Sequence, residues 1–273
     1  MTIGSRFLFV LYKERRMEFI LKTGETIYYE DQGEGIPILF LTGFGGNTEI
    51  WSGQVNFFLQ HGYRVIRLDY LNHGRSDRVD YDLKIGDLAD EVLQLVDALE
   101  IKEPIGIGNS MGAAVLWNIL SIRSWDFVSK AIFVDQSPRM MNDDQWHYGF
   151  KNLSEANFEQ LMSEPILRPA YRRIEGYVYK NSKAIDSKYP FSQPKNRSLV
   201  KGHARKDWRP VLRAATKPVL FILGEKSPFF NPQMGDALKQ LNSRIQVEVM
   251  PNVGHIPMAE EPAQFNQLVL RFL

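Results

Sequence analysis

The sequence predicts an α/β protein in which a mainly parallel sheet is covered by helices on both faces. Short apolar runs of strand length alternate along the chain with longer segments whose apolar residues recur at helical spacing. Several of the short runs are apolar throughout, which is typical of strands buried on both faces. The 273 residues are enough for one large domain of this class with a modest insertion.

The first half of the chain supplies four of the expected strands and two helices. A turn at residues 22–24 separates the first two strands, and the third strand runs into the glycine-rich residues 43–46. Gly62 is expected to end the first helix, because glycine readily adopts the left-handed conformation that follows a helix. The predicted strands cover residues 19–21, 26–30, 36–42 and 64–69, and the predicted helices cover residues 51–61 and 83–99.

The second half continues the alternation on either side of one long interruption. Its predicted strands cover residues 105–108, 128–134, 218–223 and 246–250, and its predicted helices cover residues 113–122, 233–241 and 263–273.

Residues 138–210 form the interruption, since they contain no clear buried strand. They carry 14 Lys and Arg, 8 Asp and Glu, and ten aromatic residues. We interpret them as a mostly helical cap inserted over the edge of the sheet, with residues 17–137 and 211–273 forming the core. We interpret the excess of positive charge in the cap as part of a solvated outer face. The alternative interpretation is a mild preference for anionic substrates.

Composition limits the function classes. The 33 Lys and Arg nearly balance the 32 Asp and Glu, which gives no indication of a nucleic acid or a membrane surface as partner. The absence of cysteine excludes disulfides, thiolate catalysis and cysteine-ligated zinc, and it fits a reducing compartment, so we expect a cytoplasmic protein. No apolar run approaches the roughly 18 residues of a membrane-spanning helix.

The N-terminus has an apolar patch that is too short for a usual signal peptide. Met17 opens the first predicted strand. A translation start at this residue would make residues 1–16 a non-native extension, which we keep as a hypothesis.

Residues 108–112, GNSMG, place a serine between a predicted strand and a predicted helix. The G-x-S-x-G pattern in this context is typical of a sharp turn that exposes a nucleophilic serine, here Ser110. Glycines two residues to either side let the strand and helix pass closely, and the N-terminus of the helix favours developing negative charge.

Two further segments supply the other groups that a serine nucleophile needs. His255 follows the last strand and precedes the last helix, where a general base would lie. The loop at residues 43–46 can present the backbone N–H of Phe44 to an oxyanion, and the N–H of Met111 would be the second donor. The loop does not fit a nucleotide-binding pattern, because Thr48 stands where a third glycine is required.

Together these features resemble the α/β-hydrolase superfamily over residues 18–273. The matched segments are residues 43–46, residues 69–77 (DYLNHGRSD), residues 108–112, and residues 254–257 (GHIP) before residues 260–262. The resemblance implies an eight-stranded sheet, a cap after the sixth strand and no cofactor or metal. It also makes His73, in the second segment, a turn residue rather than the base.

Two positions depart from the family pattern. Thr42 stands where the family often has a histidine before the oxyanion glycine. Ser227 stands where the acid of the triad is expected after the seventh strand. We therefore assign the acid to Asp135, at the end of the sixth strand, where some members of the superfamily carry theirs. The alternative acid is Glu225.

The predicted function is hydrolysis of a small, apolar ester, or a related acyl compound, through an acyl-enzyme on Ser110. Aromatic residues would shape an apolar substrate pocket, with Trp51, Trp146 and Tyr148 as candidate walls. Alternatives with the same triad are a carbon–carbon bond hydrolase and a perhydrolase. A ligand-sensing signalling protein on this fold is the alternative from another class.

Overall fold

The computed structural model describes residues 15–166 and 168–273, within which eight strands form one sheet. The strands are β1 (Arg15–Ile20), β2 (Thr26–Gln32), β3 (Ile36–Leu41), β4 (Tyr63–Leu68), β5 (Ile105–Asn109), β6 (Lys130–Val134), β7 (Val219–Gly224) and β8 (Ile245–Met250).

The sheet has the strand order β1-β2-β4-β3-β5-β6-β7-β8. β2 pairs antiparallel with β1 and with β4, and the remaining neighbours pair in parallel. The predicted mainly parallel, eight-stranded sheet is therefore confirmed. Because parallel strands end at the same edge of a sheet, the loops that follow β3, β5, β6, β7 and β8 meet there.

Helices cover both faces of this sheet. In β3, Leu39 and Leu41 belong to the apolar cluster on one face, whereas Ile38 and Phe40 belong to the cluster on the other. This alternation follows from the two-residue period of a strand, and it explains why the strands read as continuously apolar. The helices are α1 (Ser52–Gln60), α2 (Ile85–Ala98), α3 (Met111–Arg123), α4 (Phe158–Ser163), α5 (Gly176–Lys188), α6 (Arg197–Ala204), α7 (Arg209–Arg213), α8 (Met234–Leu241), α9 (Pro257–Glu260) and α10 (Pro262–Phe272).

The two helical layers differ in what their helices contact. α2 presents Leu88, Val92 and Leu95 at helical spacing to the cluster that also contains α3. α3 is apolar on nearly all sides because it contacts β5, α2 and α6. α1 and α10 pack together on the opposite face. None of the described helices has both the length and the apolar character that crossing a bilayer requires.

The chain between β6 and β7 contains α4, α5, α6 and α7. α5 packs on α1 and on the 3-10 turn at Thr48–Trp51, and α6 packs on α2 and α3. This segment therefore lies against loops at the carboxyl edge of the sheet. Its division from the core at residues 138 and 210 stays a prediction. Most of the predicted extension, residues 1–14, lies outside the described residues.

Candidate active site

Ser110 occupies the turn between β5 and α3. Its backbone angles are φ 54° and ψ −122°, a conformation that costs a residue other than glycine about 1–3 kcal/mol. Its N–H donates to the carbonyl oxygen of Val134 at 3.0 Å, and its own carbonyl accepts from the N–H of Ala113 at 2.9 Å. The surrounding sheet and helix therefore hold the serine in a strained turn.

The glycines of the turn are required by close approaches of the backbone. A Cβ atom on Gly108 would lie 2.6 Å from the backbone nitrogen of Ala113, and one on Gly112 would lie 2.8 Å from the carbonyl oxygen of Thr42. Neither neighbour can retreat without shifting α3 or β3. The spacing of glycines around Ser110 thus has a steric cause in this fold.

His255 and Asp135 approach each other from two loops at the same edge of the sheet. His255 lies between β8 and α9, and Asp135 directly follows β6 with φ 47°. The Nδ1 atom of His255 lies 2.6 Å from Oδ2 of Asp135, and both side chains are buried. A proton on Nδ1 directed at this carboxylate leaves Nε2 of a neutral ring free to accept a proton.

Asn109, the residue before the serine, links these loops. Its side-chain amide donates to the carbonyl oxygens of His255 at 3.0 Å and Val134 at 3.1 Å. The backbone that carries the histidine is therefore tied to the strand that leads into Ser110.

Asp135 accepts two further hydrogen bonds. The N–H of Gly224 donates to Oδ1 at 2.8 Å, and the hydroxyl of Ser227 donates to Oδ2 at 2.6 Å. Ser227 thus lies beside the carboxylate at the position where the sequence pattern expects the acid itself. Sequence reasoning missed this contact, because it joins loops that are 92 residues apart.

Glu225, the alternative acid, makes no hydrogen bond with the His255 ring among the described residues. Its carboxylate accepts from the N–H of Asn252 at 2.9 Å and is partly exposed beside Lys226. These contacts lower the pKa of Glu225, with the Asn252 hydrogen bond as the largest cause. Of the two candidate acids, Asp135 is the one whose carboxylate is paired with the His255 ring.

The glycine loop after β3 lies directly against the serine. A Cβ atom on Gly43 would lie 3.1 Å from Cβ of Ser110, and the N–H of Gly46 donates to the carbonyl of Gly43 at 3.0 Å. Within the described residues, no hydrogen bond occupies the backbone N–H of Phe44 or of Met111. Met111 is the first residue of α3, where N–H groups have no partner within the helix.

The buried carboxylate of Asp69 stabilises this loop through hydrogen bonds. Asp69 accepts from the N–H of Thr48 at 2.6 Å and from the N–H of Arg75 at 2.8 Å, which joins the loops after β3 and β4. Burial raises the pKa of Asp69 to about 6. Gly74 has φ 44°, and a Cβ atom there would lie 2.6 Å from Oδ1 of Asp69. The motif at residues 69–77 therefore shapes the loop that carries Phe44, one of the two candidate oxyanion donors.

His73 belongs to the same motif and is a buried turn residue. Its Nδ1 lies 3.0 Å from the carbonyl oxygen of Leu71, and its ring packs on Phe44 and Phe191. Burial lowers the pKa of His73 to about 4, so the ring is neutral at physiological pH.

Ser110 and His255 line one cavity of about 510 Å³. Most of its wall is apolar. Phe229 contacts the imidazole edge-on, with ring centroids 4.7 Å apart, and Phe230 lies 5.9 Å from it. The larger apolar side chains of the wall are Phe44, Met140, Phe150, Phe191, Phe229 and Phe230.

Two of the three predicted wall residues are core residues instead. Trp51 is fully buried between Phe40 and Phe265 in the apolar core. Trp146 donates to the hydroxyl of Ser137 and packs against Tyr148. None of the predicted three, Trp51, Trp146 and Tyr148, lines the cavity. Sequence reasoning missed the aromatic pair Phe229 and Phe230, which could have been suspected because it lies in the loop that follows β7.

The Lys and Arg side chains described between β6 and β7 lie outside the cavity wall. No Lys or Arg is among the described residues that line it, whereas the carboxylate of Asp186 is. Lys201 and Arg205 instead form exposed ion pairs with Glu159 and Glu155. The arrangement favours the solvated outer face over an anion-binding cavity.

The chain is similar in sequence to several known proteins. The non-heme chloroperoxidase of Streptomyces lividans is 34% identical over 120 residues, which cover 43% of this chain and 44% of that protein. Strigolactone esterase D14 of Arabidopsis thaliana is 28% identical over 256 residues, which cover 88% of this chain and 94% of that protein. The chain therefore spans less than half of the first relative and nearly all of the second.

The solved structure of an esterase from Exiguobacterium antarcticum shares the fold, with a TM-score of 0.80 and 20% identity over 94% of this chain and 99% of that one. Residues 36–262 match the family described as alpha/beta hydrolase fold. By this match, and by the sheet order and turn geometry described above, the chain belongs to the alpha/beta hydrolase fold family.

Proposed function

We propose that the protein hydrolyses a small, largely apolar carboxylic ester through an acyl-enzyme on Ser110. One observation carries the proposal: the strained serine and the His255 ring, paired with Asp135 at 2.6 Å, line the same apolar cavity. A serine hydroxyl is a weak nucleophile on its own, and a base oriented by a carboxylate is what activates it.

In the first half-reaction, Oγ of Ser110 attacks the ester carbonyl while Nε2 of His255 takes the hydroxyl proton. The N–H groups of Phe44 and Met111 donate to the oxyanion of the tetrahedral intermediate. Collapse of the intermediate breaks the ester C–O bond, and His255 returns the proton to the departing alcohol. Asp135 holds the ring and stabilises its positive charge throughout.

In the second half-reaction, water attacks the acyl-serine ester and gives its proton to His255. The second tetrahedral intermediate breaks the bond to Oγ, releases the carboxylic acid and returns the proton to Ser110. The apolar rings of Phe229 and Phe230 beside His255 limit bulk water around the imidazole.

Turnover of p-nitrophenyl acetate and butyrate by wild type and Ser110→Ala tests the proposal. We expect turnover in the wild type, its loss in the variant, and labelling of Ser110 by a fluorophosphonate probe. Turnover that persists in Ser110→Ala would reject the mechanism. Very slow turnover with a tightly retained product would instead favour a ligand-sensing role.

A perhydrolase is the second candidate, and the similarity to the Streptomyces lividans chloroperoxidase favours it. In this reaction hydrogen peroxide replaces water in the second half-reaction and releases a peracid from Ser110. Oxidation of bromide in the presence of acetate and hydrogen peroxide measures it. Bromide oxidation that equals ester hydrolysis in rate, and is lost in Ser110→Ala, would favour this candidate.

A further inference from the structure

The cavity beside Ser110 combines apolar walls with a carboxylate from the cap. Asp186, on α5, is the one Asp or Glu among the described residues that line it, and no Lys or Arg among them offsets its charge. His203 also lines the cavity, but burial lowers its pKa to about 4, so this ring is neutral at physiological pH.

The position of Asp186 is fixed by Asn47, which follows the glycine loop. The amide of Asn47 donates to Oδ1 of Asp186 at 2.9 Å and also contacts Ser182 on the same helix. Asn47 is itself buried, and its side-chain oxygen caps the 3-10 turn by accepting from the N–H of Glu49 at 3.0 Å. Oδ2 of Asp186 makes no hydrogen bond to a described residue, which leaves it as an acceptor.

Gln136 provides a second, independent acceptor in the wall. Its side chain is 1% exposed and lines the cavity. Its amide nitrogen donates to the carbonyl of Ser137 at 3.0 Å, so the orientation of the amide is set by that bond. Oε1 then has no hydrogen-bond partner among the described residues. This oxygen faces the cavity and can accept a hydrogen bond from a ligand or from water.

From these observations we propose that the preferred ester carries an ammonium group, which Asp186 binds while the rest of the substrate occupies the apolar part of the cavity. The inference deepens the proposed ester hydrolysis and rests on it. An ammonium group supplies a counter-charge that no described residue of the cavity wall gives Asp186, and Gln136 offers its oxygen to a donor elsewhere on the substrate. A carboxylate at the same place would be repelled by Asp186. The site would therefore favour ammonium esters and also reject carboxylate esters.

Matched esters test the charge preference directly. One series varies the alcohol: para-(aminomethyl)benzyl, para-ethylbenzyl and para-(carboxymethyl)benzyl butyrate. A second series places the same three groups on the acyl side, as ethyl esters of the corresponding arylacetic acids. In each series the ammonium and neutral groups match in size and shape, and the carboxylate group is larger by two oxygen atoms and carries the opposite charge.

In at least one series we expect kcat/KM of the ammonium ester to exceed that of the neutral ester by about tenfold, with the carboxylate ester below both. Asp186→Asn keeps an oxygen that can accept from Asn47, and it should bring the ammonium-to-neutral ratio close to one. Asp144→Asn removes a carboxylate from an exposed turn of the same segment and should leave the ratio as in the wild type.

The outcomes separate this inference from the proposed function. Wild type that cleaves the neutral esters in both series without preferring the ammonium esters overturns the inference and leaves ester hydrolysis intact. A wild type that cleaves none of them and resists the fluorophosphonate probe rejects ester hydrolysis. Calorimetry with Ser110→Ala then measures binding alone, and equal affinity for the ammonium and neutral esters would overturn the inference as well.

Discussion

The loops at the carboxyl edge of the sheet and the segment between β6 and β7 contribute to the same cavity in different ways. The edge loops hold Ser110, Asp135 and His255 through backbone constraints: positive φ angles, glycines at close approaches, and hydrogen bonds between loops. The intervening segment contributes side chains such as Phe191 and Asp186, which reach the cavity from helices and loops that carry no motif.

Under the proposed function, this difference separates the residues that carry out the reaction from those that select the substrate. Backbone geometry restricts which residue types can occupy the edge loops, so the candidate catalytic residues lie within short sequence motifs. The side chains between β6 and β7 face few such restrictions, so they can change while the fold persists. Under the proposed function, changes in the edge loops are expected to affect turnover, and changes between β6 and β7 to affect which ester is turned over.

The largest expected effect is at Ser110. Ser110→Ala should lower kcat by about 10⁶, because the nucleophile and its base act as a unit. Ser110→Gly should be equally inactive and should melt at a temperature equal to or above that of Ser110→Ala, since glycine tolerates φ 54°. Ester assays and thermal melting measure both effects. A melting temperature of Ser110→Gly clearly below that of Ser110→Ala would contradict the proposed strain.

The next effect is at Asp135. Asp135→Asn should lower kcat by about 10⁴, because the amide no longer stabilises the charged imidazole or fixes its tautomer. Glu225→Gln is the matched control and should leave kcat near that of the wild type. If the Glu225 variant proved the more damaged of the two, the acid would have to be reassigned.

A smaller effect tests whether the acid can be moved from the loop after β6 to the loop after β7. Ser227 Oγ and His255 Nδ1 both lie 2.6 Å from Oδ2 of Asp135, so a carboxylate at position 227 would approach the imidazole. Adding Ser227→Asp to Asp135→Asn should recover about tenfold in kcat over Asp135→Asn alone. Asp135→Asn with Ser227→Ala serves as the control, and recovery there of the same size would show that loss of the hydroxyl, not a new acid, is responsible.

A cap residue should affect KM more than kcat. Phe191 packs edge-on against Phe44 at 4.9 Å and lines the cavity. Phe191→Leu should raise KM for apolar esters about threefold to tenfold, because it removes aromatic contact area from the wall. Trp146→Phe changes an aromatic residue outside the wall and should leave KM unchanged. A fall in kcat at constant KM for the Phe191 variant would place this residue with the edge loops instead.

The last effect concerns folding stability and leaves the proposed catalytic groups unchanged. Glu91 on α2 accepts from the N–H of Leu71 at 3.0 Å, and burial raises its pKa to about 8. In the unfolded chain its carboxyl loses its proton near the ordinary pKa of 4.5. Between these two values the folded state keeps the proton and the unfolded state does not, so rising pH costs folding stability up to about 1.4 kcal/mol per unit.

Thermal melting of wild type and Glu91→Gln from about pH 5 to about pH 8 measures this term. The wild type should lose stability across the range, and Glu91→Gln should lose less, because its amide does not titrate. Asp144→Asn should follow the wild type. Parallel curves for wild type and Glu91→Gln would mean that Glu91 titrates alike in both states.

The sequence by itself determined the alternation of strands and helices, the parallel sheet and the spacing around Ser110. These features are local: a strand buried on both faces must be apolar throughout, and a turn at φ 54° between closely packed backbones needs glycines beside it. The proximity of Asp135 to His255 was inferred from chain order and resemblance.

Only the tertiary structure decided what surrounds those groups. The hydroxyl of Ser227 reaches Asp135 across 92 residues, and Asn47 fixes Asp186 across 139. Trp51 is an aromatic residue of the kind that lines pockets, and it is instead fully buried in the apolar core. Contacts of this kind depend on which elements pack together, and that packing leaves no periodic or spaced pattern along the chain.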